Sequence, residues 1–410
     1  MQTYFREKNL ELSLKLNQHL LNKTERSKDT ENMEIKQTDV HFIISPSPWE
    51  QDPLQYRRHR LANYLIKESN TKAVYWIAPK PSSIKSLFLE PEVKVLNNGI
   101  IQILVRDFKS FIRYVEPFQS RVKKKIIKTE RKSSNLYLWY TYPAFSSLTN
   151  LNMWQKIIYD CSDYWREAEQ VDNNWMNTVK REMIIQSEKR IVKASDICFA
   201  SSKHLSDHLY KLKHKNIFLL ENGVDFELFQ KRKKKPINAK PILGFVGGLK
   251  PWKIDFSLLL EVARKQQDWE IVLIGSSYGQ AGKAFKDLLA QRNVTIYDSV
   301  PFSDIPEYLS TFDVGLLPYL DNEYNQGVFP LKFFEYLASD LPIVGCGIPS
   351  TKHYEEEGIY EQTKNNSNYF IDACLQALKN RDINKEKRLT LAKSSDWNEK
   401  IERMLKELRR

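Results

Sequence analysis

The sequence predicts an α/β protein of two Rossmann-like, doubly wound domains that face a cleft. Three observations predict it. At 410 residues the chain is too long for one compact core and suits two. Short hydrophobic runs alternate with stretches of helical spacing, as in parallel sheets covered by helices. That alternation occurs twice, either side of a break near residues 222–240.

Taken in order, residues 1–38 read as an extension. Phe5, Leu10, Leu12, Leu14, Leu16, Leu20 and Leu21 suit one amphipathic helix, followed by a polar linker. The first domain spans residues 39–225. Val40–Ser45 (VHFIIS) and Ala73–Ala78 (AVYWIA) read as buried strands, with a helix over Arg57–Glu68 between them. The cycle continues with strands at Asn135–Tyr140, Lys156–Asp160 and Asp196–Ala200, and a long helix at Asp172–Ala194. Residues 226–240 are expected to be a linker carrying the basic run Lys231–Lys235. The second domain, 241–393, opens with the strand Pro241–Val246 (PILGFV), the Gly247-Gly248 turn and a helix over Phe256–Gln266. Strands follow at Glu270–Ile274, Val294–Tyr297, Val314–Pro318 and Pro342–Gly345, with helices at Ile305–Thr311 and Leu331–Ala338. Residues 394–410 form a final amphipathic helix.

Hydrophobic residues at 41% and charged residues at 28% describe a globular chain, not a disordered one. The net charge of +12 predicts anionic partners. A nucleic acid is not expected among them, because zinc-finger spacing, an RNP-type aromatic motif and a helix-turn-helix signal are all missing from the sequence. A second basic run, Arg121, Lys123, Lys124, Lys125, Lys128, Arg131 and Lys132, is either a solvated segment or a face for an anionic membrane surface. Cys161, Cys198, Cys346 and Cys374 lie far apart, which predicts neither disulfides nor a zinc site and fits a reducing cytoplasm. No signal peptide and no bilayer-length apolar run is read, so membrane association is expected to be peripheral.

In open α/β sheets ligands bind at the C-terminal ends of the strands. Gly327 precedes a helix opened by Pro330, and glycine permits close approach to a ligand. The helix presents free N–H groups and a positive dipole end, with Lys332 in its first turn to add charge for a diphosphate. Glu335, one turn on, can accept hydrogen bonds from ribose hydroxyls. Read without context, Lys332 and Glu335 are equally a solvent-facing i, i+3 pair. Gly247 and Gly248 end the first strand of the second domain and admit a diphosphate to the backbone.

Several segments together resemble GT-B glycosyltransferases of group 1, or family 4. Pro330, Lys332, Glu335, Tyr336, Leu337 and Ala338, followed by Leu341–Val344, are similar to the nucleotide-sugar motif of that family. Asn222-Gly223-Val224-Asp225 resembles the element joining its two domains, and Ala194-Ser195-Asp196 with Ala200-Ser201-Ser202 the segment upstream. Phe312–Pro318 is also similar, and the matches run in order over residues 39–400. Tyr159–Trp165, Arg57-Arg58-His59 and Leu249–Leu259 resemble the teichuronic-acid biosynthesis type of this group.

The resemblance implies transfer of a sugar, most simply from a UDP-sugar, to a cell-envelope glycan or polyprenyl-linked acceptor. It implies no cofactor and no metal, the nucleotide-sugar itself being the substrate. Residues 39–225 would bind the acceptor and 241–393 the donor, while the last helix, anchored by Trp397, would cross back onto the first domain. Lys250 or Lys253 would stabilise the departing diphosphate, and Arg57 and Arg58 would hold an anionic group of the acceptor. Val300–Asp304 would run beside the nucleobase. Asp321-Asn322-Glu323 has the letters of a metal-binding motif and reads as a turn.

One departure from the family pattern bears on mechanism. Retaining members carry two glutamates eight positions apart; Glu335 matches the second, and Gly327 stands where the first would fall. That favours inversion, which needs a base from the first domain. Asp163 is the preferred candidate, with a neighbouring carboxylate expected to raise its pKa. Asp160 is the second candidate, read also as a loop cap, and His59 the third, read also as part of a surface basic cluster. The missing glutamate leaves a competing reading, a catalytically inactive scaffold or sugar-binding module.

Overall fold

The computed structural model describes residues 38–51, 55–87, 89–129, 134–167, 175–231, 240–276 and 282–410. The expected N-terminal helix lies outside these residues, as do residues 232–235 of one basic run and Arg131 and Lys132 of the other.

The first sheet is built from β1 (Thr38–Ile44), α1 (Arg57–Leu65), β2 (Thr71–Pro81), β3 (Glu92–Val95), β4 (Ile101–Asp107), α2 (Glu116–Thr129), β5 (Ser134–Tyr140), β6 (Lys156–Cys161), α3 (Trp175–Ala194), β7 (Ile197–Ala200), α4 (Lys203–Lys211) and β8 (Ile217–Leu219). Its strand order is β3-β4-β2-β1-β5-β6-β7-β8. β1 pairs parallel to β2, and β2 to β4, while β3 closes the edge antiparallel to β4. The alternation of side chains feeds two cores. Val40, Phe42, Ile44, Tyr75 and Ile77 pack on one face, and Ile43, Val74, Trp76, Trp139 and Ile158 on the other.

The second array comprises α5 (Phe226–Gln230), β9 (Ile242–Val246), α6 (Phe256–Lys265), β10 (Glu270–Ile274), α7 (Lys283–Leu289), β11 (Val294–Tyr297), α8 (Ile305–Leu309), β12 (Val314–Pro318), α9 (Glu323–Gly327), α10 (Leu331–Ala338), β13 (Ile343–Cys346), β14 (Tyr360–Gln362), α11 (Ser367–Lys379), α12 (Lys385–Lys393) and α13 (Trp397–Arg409). Its order is β11-β10-β9-β12-β13-β14, with every neighbouring pair parallel. The strand order reverses direction at β9/β12, which opens a crevice beyond the strand ends there.

One expectation differs from the structure. The segment 226–240 is not wholly a linker. Asp225 caps α5 by accepting from the Leu228 N–H, and Phe226 and Phe229 bury in the second core, so that core begins at Val224. β3 and β4 carry no expectation above. Val93 and Val95 on β3 are exposed, so the strand lacks the buried run that marks the others.

α13 lies on the first domain. Trp397, Ile401, Met404, Leu405 and Leu408 recur on one face and join the core that contains Leu61, Ala62 and Leu65 of α1. The Tyr64 hydroxyl donates to Glu402 at 3.3 Å. The start of α13 is pinned to the interdomain segment: the Val224 N–H donates to the Ser395 carbonyl at 3.0 Å, and the Trp397 N–H to Val224 at 3.0 Å. Gly223 fits that crossing because a Cβ there would stand 2.7 Å from the Ser395 carbonyl oxygen.

Candidate active site

A cavity of about 300 Å³ opens between the two sheets, at their C-terminal ends. Arg57, Arg58, Lys250, Lys253 and Lys332 line it, with Asp163 as the carboxylate among the lining residues. This excess of cations makes the cleft an anion site. A hollow of about 340 Å³ beside α3 has Glu182 and Arg190 for its charges and no glycine loop. The cleft is therefore the better candidate for a phosphorylated ligand.

The floor on the second-domain side is backbone. The Gly247 N–H donates to the Ile274 carbonyl at 2.8 Å, and the Leu249 N–H to Ser276 at 3.0 Å, zipping the loop after β9 to the loop after β10. Gly275 has φ +149°, and a Cβ there would stand 1.9 Å from the Gly247 carbonyl oxygen. Only glycine allows that approach. Gly247, Gly248 and Gly275 thus leave the cleft lined by main chain. Sequence reasoning missed Gly275; its position at the end of a buried strand was the available signal. Ser299 and Val300 line the same cavity.

α10 faces the cleft with its N-terminus. Pro330 is its cap and Lys332 lies in its first turn. The solvent-facing reading of Lys332 and Glu335 is overturned. Both are buried, and Lys332 Nζ lies 2.7 Å from Glu335 Oε2. Such a pair persists only because each charge satisfies the other. Lys332 reaches the cavity, while Glu335 sits behind it as its counter-charge.

Lys253 Nζ stands 4.6 Å from the centroid of the Tyr324 ring. Burial lowers its pKa to about 8, and the nearby Asp163 charge opposes that fall. Lys250 Nζ lies 5.4 Å from the Trp252 ring centroid and lines the cavity beside it. Asp321-Asn322-Glu323 is a helix start: the Asn322 side chain accepts from the Asn325 N–H, capping α9.

On the first-domain side the structure separates the candidates. Asp163, half-buried on the turn after β6, lines the cavity and accepts from the Tyr324 hydroxyl at 3.2 Å. The charged neighbour placed against it is Lys253, a cation, where a second carboxylate was expected. Asp160 is in a different situation. Its two oxygens meet Arg57 Nε at 2.9 Å and Nη2 at 2.8 Å, and both residues are buried. Arg57 also donates to the Leu220 carbonyl at 2.6 Å. This buried ion pair, with one hydrogen bond and a second close charge contact, ties β6 and α1 to the interdomain segment, so Asp160 and Arg57 are committed to each other.

His59 is not part of a surface cluster. It is 1% exposed, its ring 4.5 Å from the Trp49 centroid and 4.8 Å from that of Trp76, and it is not among the residues lining the cavity. Arg58 is buried over the Tyr56 ring at 4.7 Å and does line it.

Gly327 also differs from expectation. It is absent from the cavity lining, and a Cβ there would stand 3.0 Å from Tyr164 Cβ. Its carbonyl accepts from the Ser202 hydroxyl at 2.9 Å. The close approach that glycine permits is therefore to the first domain, not to a ligand.

The family profile described as "Glycosyl transferases group 1" matches residues 240–380, the array that carries the glycine loops and α10. Over 382 residues the chain is 33% identical to a Bacillus subtilis (strain 168) protein assigned to teichuronic acid biosynthesis, glycosyltransferase TuaH; 89% of this chain and 96% of that protein are covered. Among solved structures it is similar to sucrose-phosphate synthase from Thermosynechococcus elongatus (TM-score 0.68, 16% identity, 90% and 98% of the two chains). It is also similar to Anabaena Alr3699/HepE, solved in complex with UDP and glucose (TM-score 0.64, 12% identity, 90% and 98%). Two Rossmann-like sheets around a cationic cleft, together with these likenesses, show that the chain belongs to the group 1 glycosyltransferases of GT-B fold.

Proposed function

We propose that this glycosyltransferase moves a sugar from a UDP-sugar to a hydroxyl of a cell-envelope glycan or polyprenyl-linked acceptor, with inversion and without a metal. The observation that carries the reading is the pairing of a cationic glycine-floored half-cleft with Asp163 opposite, the one carboxylate among the described lining residues. The likeness to TuaH supports a surface glycan of the teichuronic acid kind, and the UDP-bound relative supports the nucleotide.

In this reading the diphosphate lies on Gly247, Gly248 and the α10 N-terminus, with Lys250, Lys253 and Lys332 facing its charge. The acceptor hydroxyl enters from the first-domain side, beside Arg58. Asp163 takes its proton as the oxygen bonds to the anomeric carbon. The bond from that carbon to the diphosphate breaks, and UDP leaves with the electron pair. Lysines near the diphosphate stabilise the departing charge, which gives electrostatics the largest share of the rate. Gly327, in the place of a glutamate, favours inversion. The exposed Lys124 on α2 suits docking on the anionic cytoplasmic face of a membrane.

The test is nucleotide release with a panel of UDP-, GDP- and ADP-sugars and membrane lipid acceptors, followed by the anomeric configuration of the product. Consumption of a UDP-sugar with an inverted product supports the proposal. Binding of UDP with turnover of no donor would instead favour the inactive sugar-binding module.

A further inference from the structure

We infer that Tyr324 is a positioning residue for the acceptor base, aligning the Asp163 carboxylate across the cleft from the donor-binding domain. This rests on the reading of Asp163 as base given above. The contact is a hydrogen bond of 3.2 Å from the Tyr324 hydroxyl to Asp163 Oδ1, between residues 161 positions apart on different domains.

The helix that carries Tyr324 is fastened by the asparagines on either side of it. Asn322 caps α9 and donates from its side-chain amide to the Trp252 carbonyl at 2.8 Å. Asn325, fully buried, donates to the Lys253 carbonyl at 3.0 Å and to Leu320 at 2.7 Å. These amides fasten α9 to the loop that carries Lys253. The phenol and the ammonium thus form one block, the ammonium resting over the ring. At the other end of α9, Gly327 docks on Tyr164 and Ser202, the residue after the carboxylate and the cap of α4. The turn bearing Asp163 is therefore gripped on both sides by α9.

A carboxylate on a turn has rotamers that point away from an incoming hydroxyl. A fixed donor on one oxygen leaves the other oriented for the proton, which is how supporting residues set a reacting group to within a fraction of an ångström. Burial raises the Tyr324 pKa well above that of an ordinary phenol, so the group remains a donor at working pH. The block also ties the orientation of the base to the loop on which the diphosphate is proposed to sit.

The experiment is a double-mutant cycle of Tyr324→Phe and Asp163→Asn in the full chain, reading kcat, donor KM, UDP affinity and melting temperature. Tyr324→Phe is expected to lower kcat on the order of 10- to 100-fold with donor KM and UDP affinity unchanged. In the Asp163→Asn background the same change should cost almost nothing, since the group it positions is gone. An equal loss in both backgrounds, or a kcat loss matched by a fall in UDP affinity and melting temperature, would make the contact structural and overturn the inference. If Asp163→Asn removes turnover while Tyr324→Phe leaves kcat intact, this inference alone fails. If Asp163→Asn itself keeps wild-type kcat, the base reading fails with it.

Discussion

The two walls of the cleft are made of different material. The second-domain wall is mostly main chain: three glycines, the start of α10 and lysines at its rim. The first-domain wall is side chains, and much of its charge is spent on architecture. Arg57 and Asp160 bind each other at the wall, and away from the cavity Asp107 at the end of β4 pairs with Arg113, and Glu188 accepts from Tyr159 at 2.7 Å while meeting His208 at 2.9 Å. A wall of backbone can serve any nucleoside diphosphate, since phosphate needs only N–H groups and positive charge. A wall of paired side chains leaves few groups to contact a second ligand; of its charged residues, Asp163, Arg58 and the Asp160-bound Arg57 line the cavity.

That contrast can be broken first on the structural side, where the effects are largest. Arg57→Ala would strand a buried Asp160 and should cost about 3–5 kcal/mol of stability. Denaturant unfolding measures this, and Arg57→Ala with Asp160→Ala should recover part of the loss. If the single variant is as stable as wild type, Arg57 belongs to the acceptor site after all. Lys332→Ala would strand Glu335 in the same manner, but here lost UDP affinity should accompany lost stability, because Lys332 also faces the cavity.

The backbone wall gives a smaller effect. Gly275→Ala forces a Cβ against the Gly247 carbonyl and should cost roughly 1–3 kcal/mol and weaken UDP binding. Gly248→Ala makes the sharper comparison. Its Cβ would meet only the flexible Lys250 side chain, at 3.4 Å, so stability should change by less than about 0.5 kcal/mol. Thermal melts of the two variants should therefore diverge, while UDP affinity should fall in both because Gly248 lies on the same proposed diphosphate floor; equal melts would mean that the glycine contact is not the constraint.

The pH dependence of UDP affinity is the most delicate probe. With a pKa near 8, Lys253 is charged below that pH and neutral above it in the free protein. If UDP binds the charged form, as proposed, affinity should hold up to about pH 8 and fall about tenfold by pH 9. Lys253→Arg should flatten that fall, because a guanidinium keeps its charge.

The same contrast explains what the sequence disclosed. The buried strands are legible as unbroken apolar runs, and VHFIIS and AVYWIA appear where expected as β1 and β2. The second-domain wall is legible because glycine, proline and a first-turn lysine are local signals for strand ends and helix starts. β3 escaped notice because its valines face solvent, and α5 because five residues are too few for a period. On the first-domain wall, the roles depend on pairings invisible to local reading. Arg57 and Asp160 are 103 positions apart, and Asp163 and Tyr324 are 161 apart. Glu335 could be read either as a ribose contact or as solvent-facing, since the i, i+3 spacing with Lys332 is the same whether a helix face is wet or buried.

We propose a division of labour, with the donor bound by the second domain and the proton removed by Asp163 of the first. The most direct measurement is UDP-sugar binding and turnover by Asp163→Asn beside wild type. The account predicts unchanged donor affinity and a turnover loss of about 10²- to 10⁴-fold. Turnover at the wild-type rate, or a donor affinity that falls in step with turnover, would contradict it.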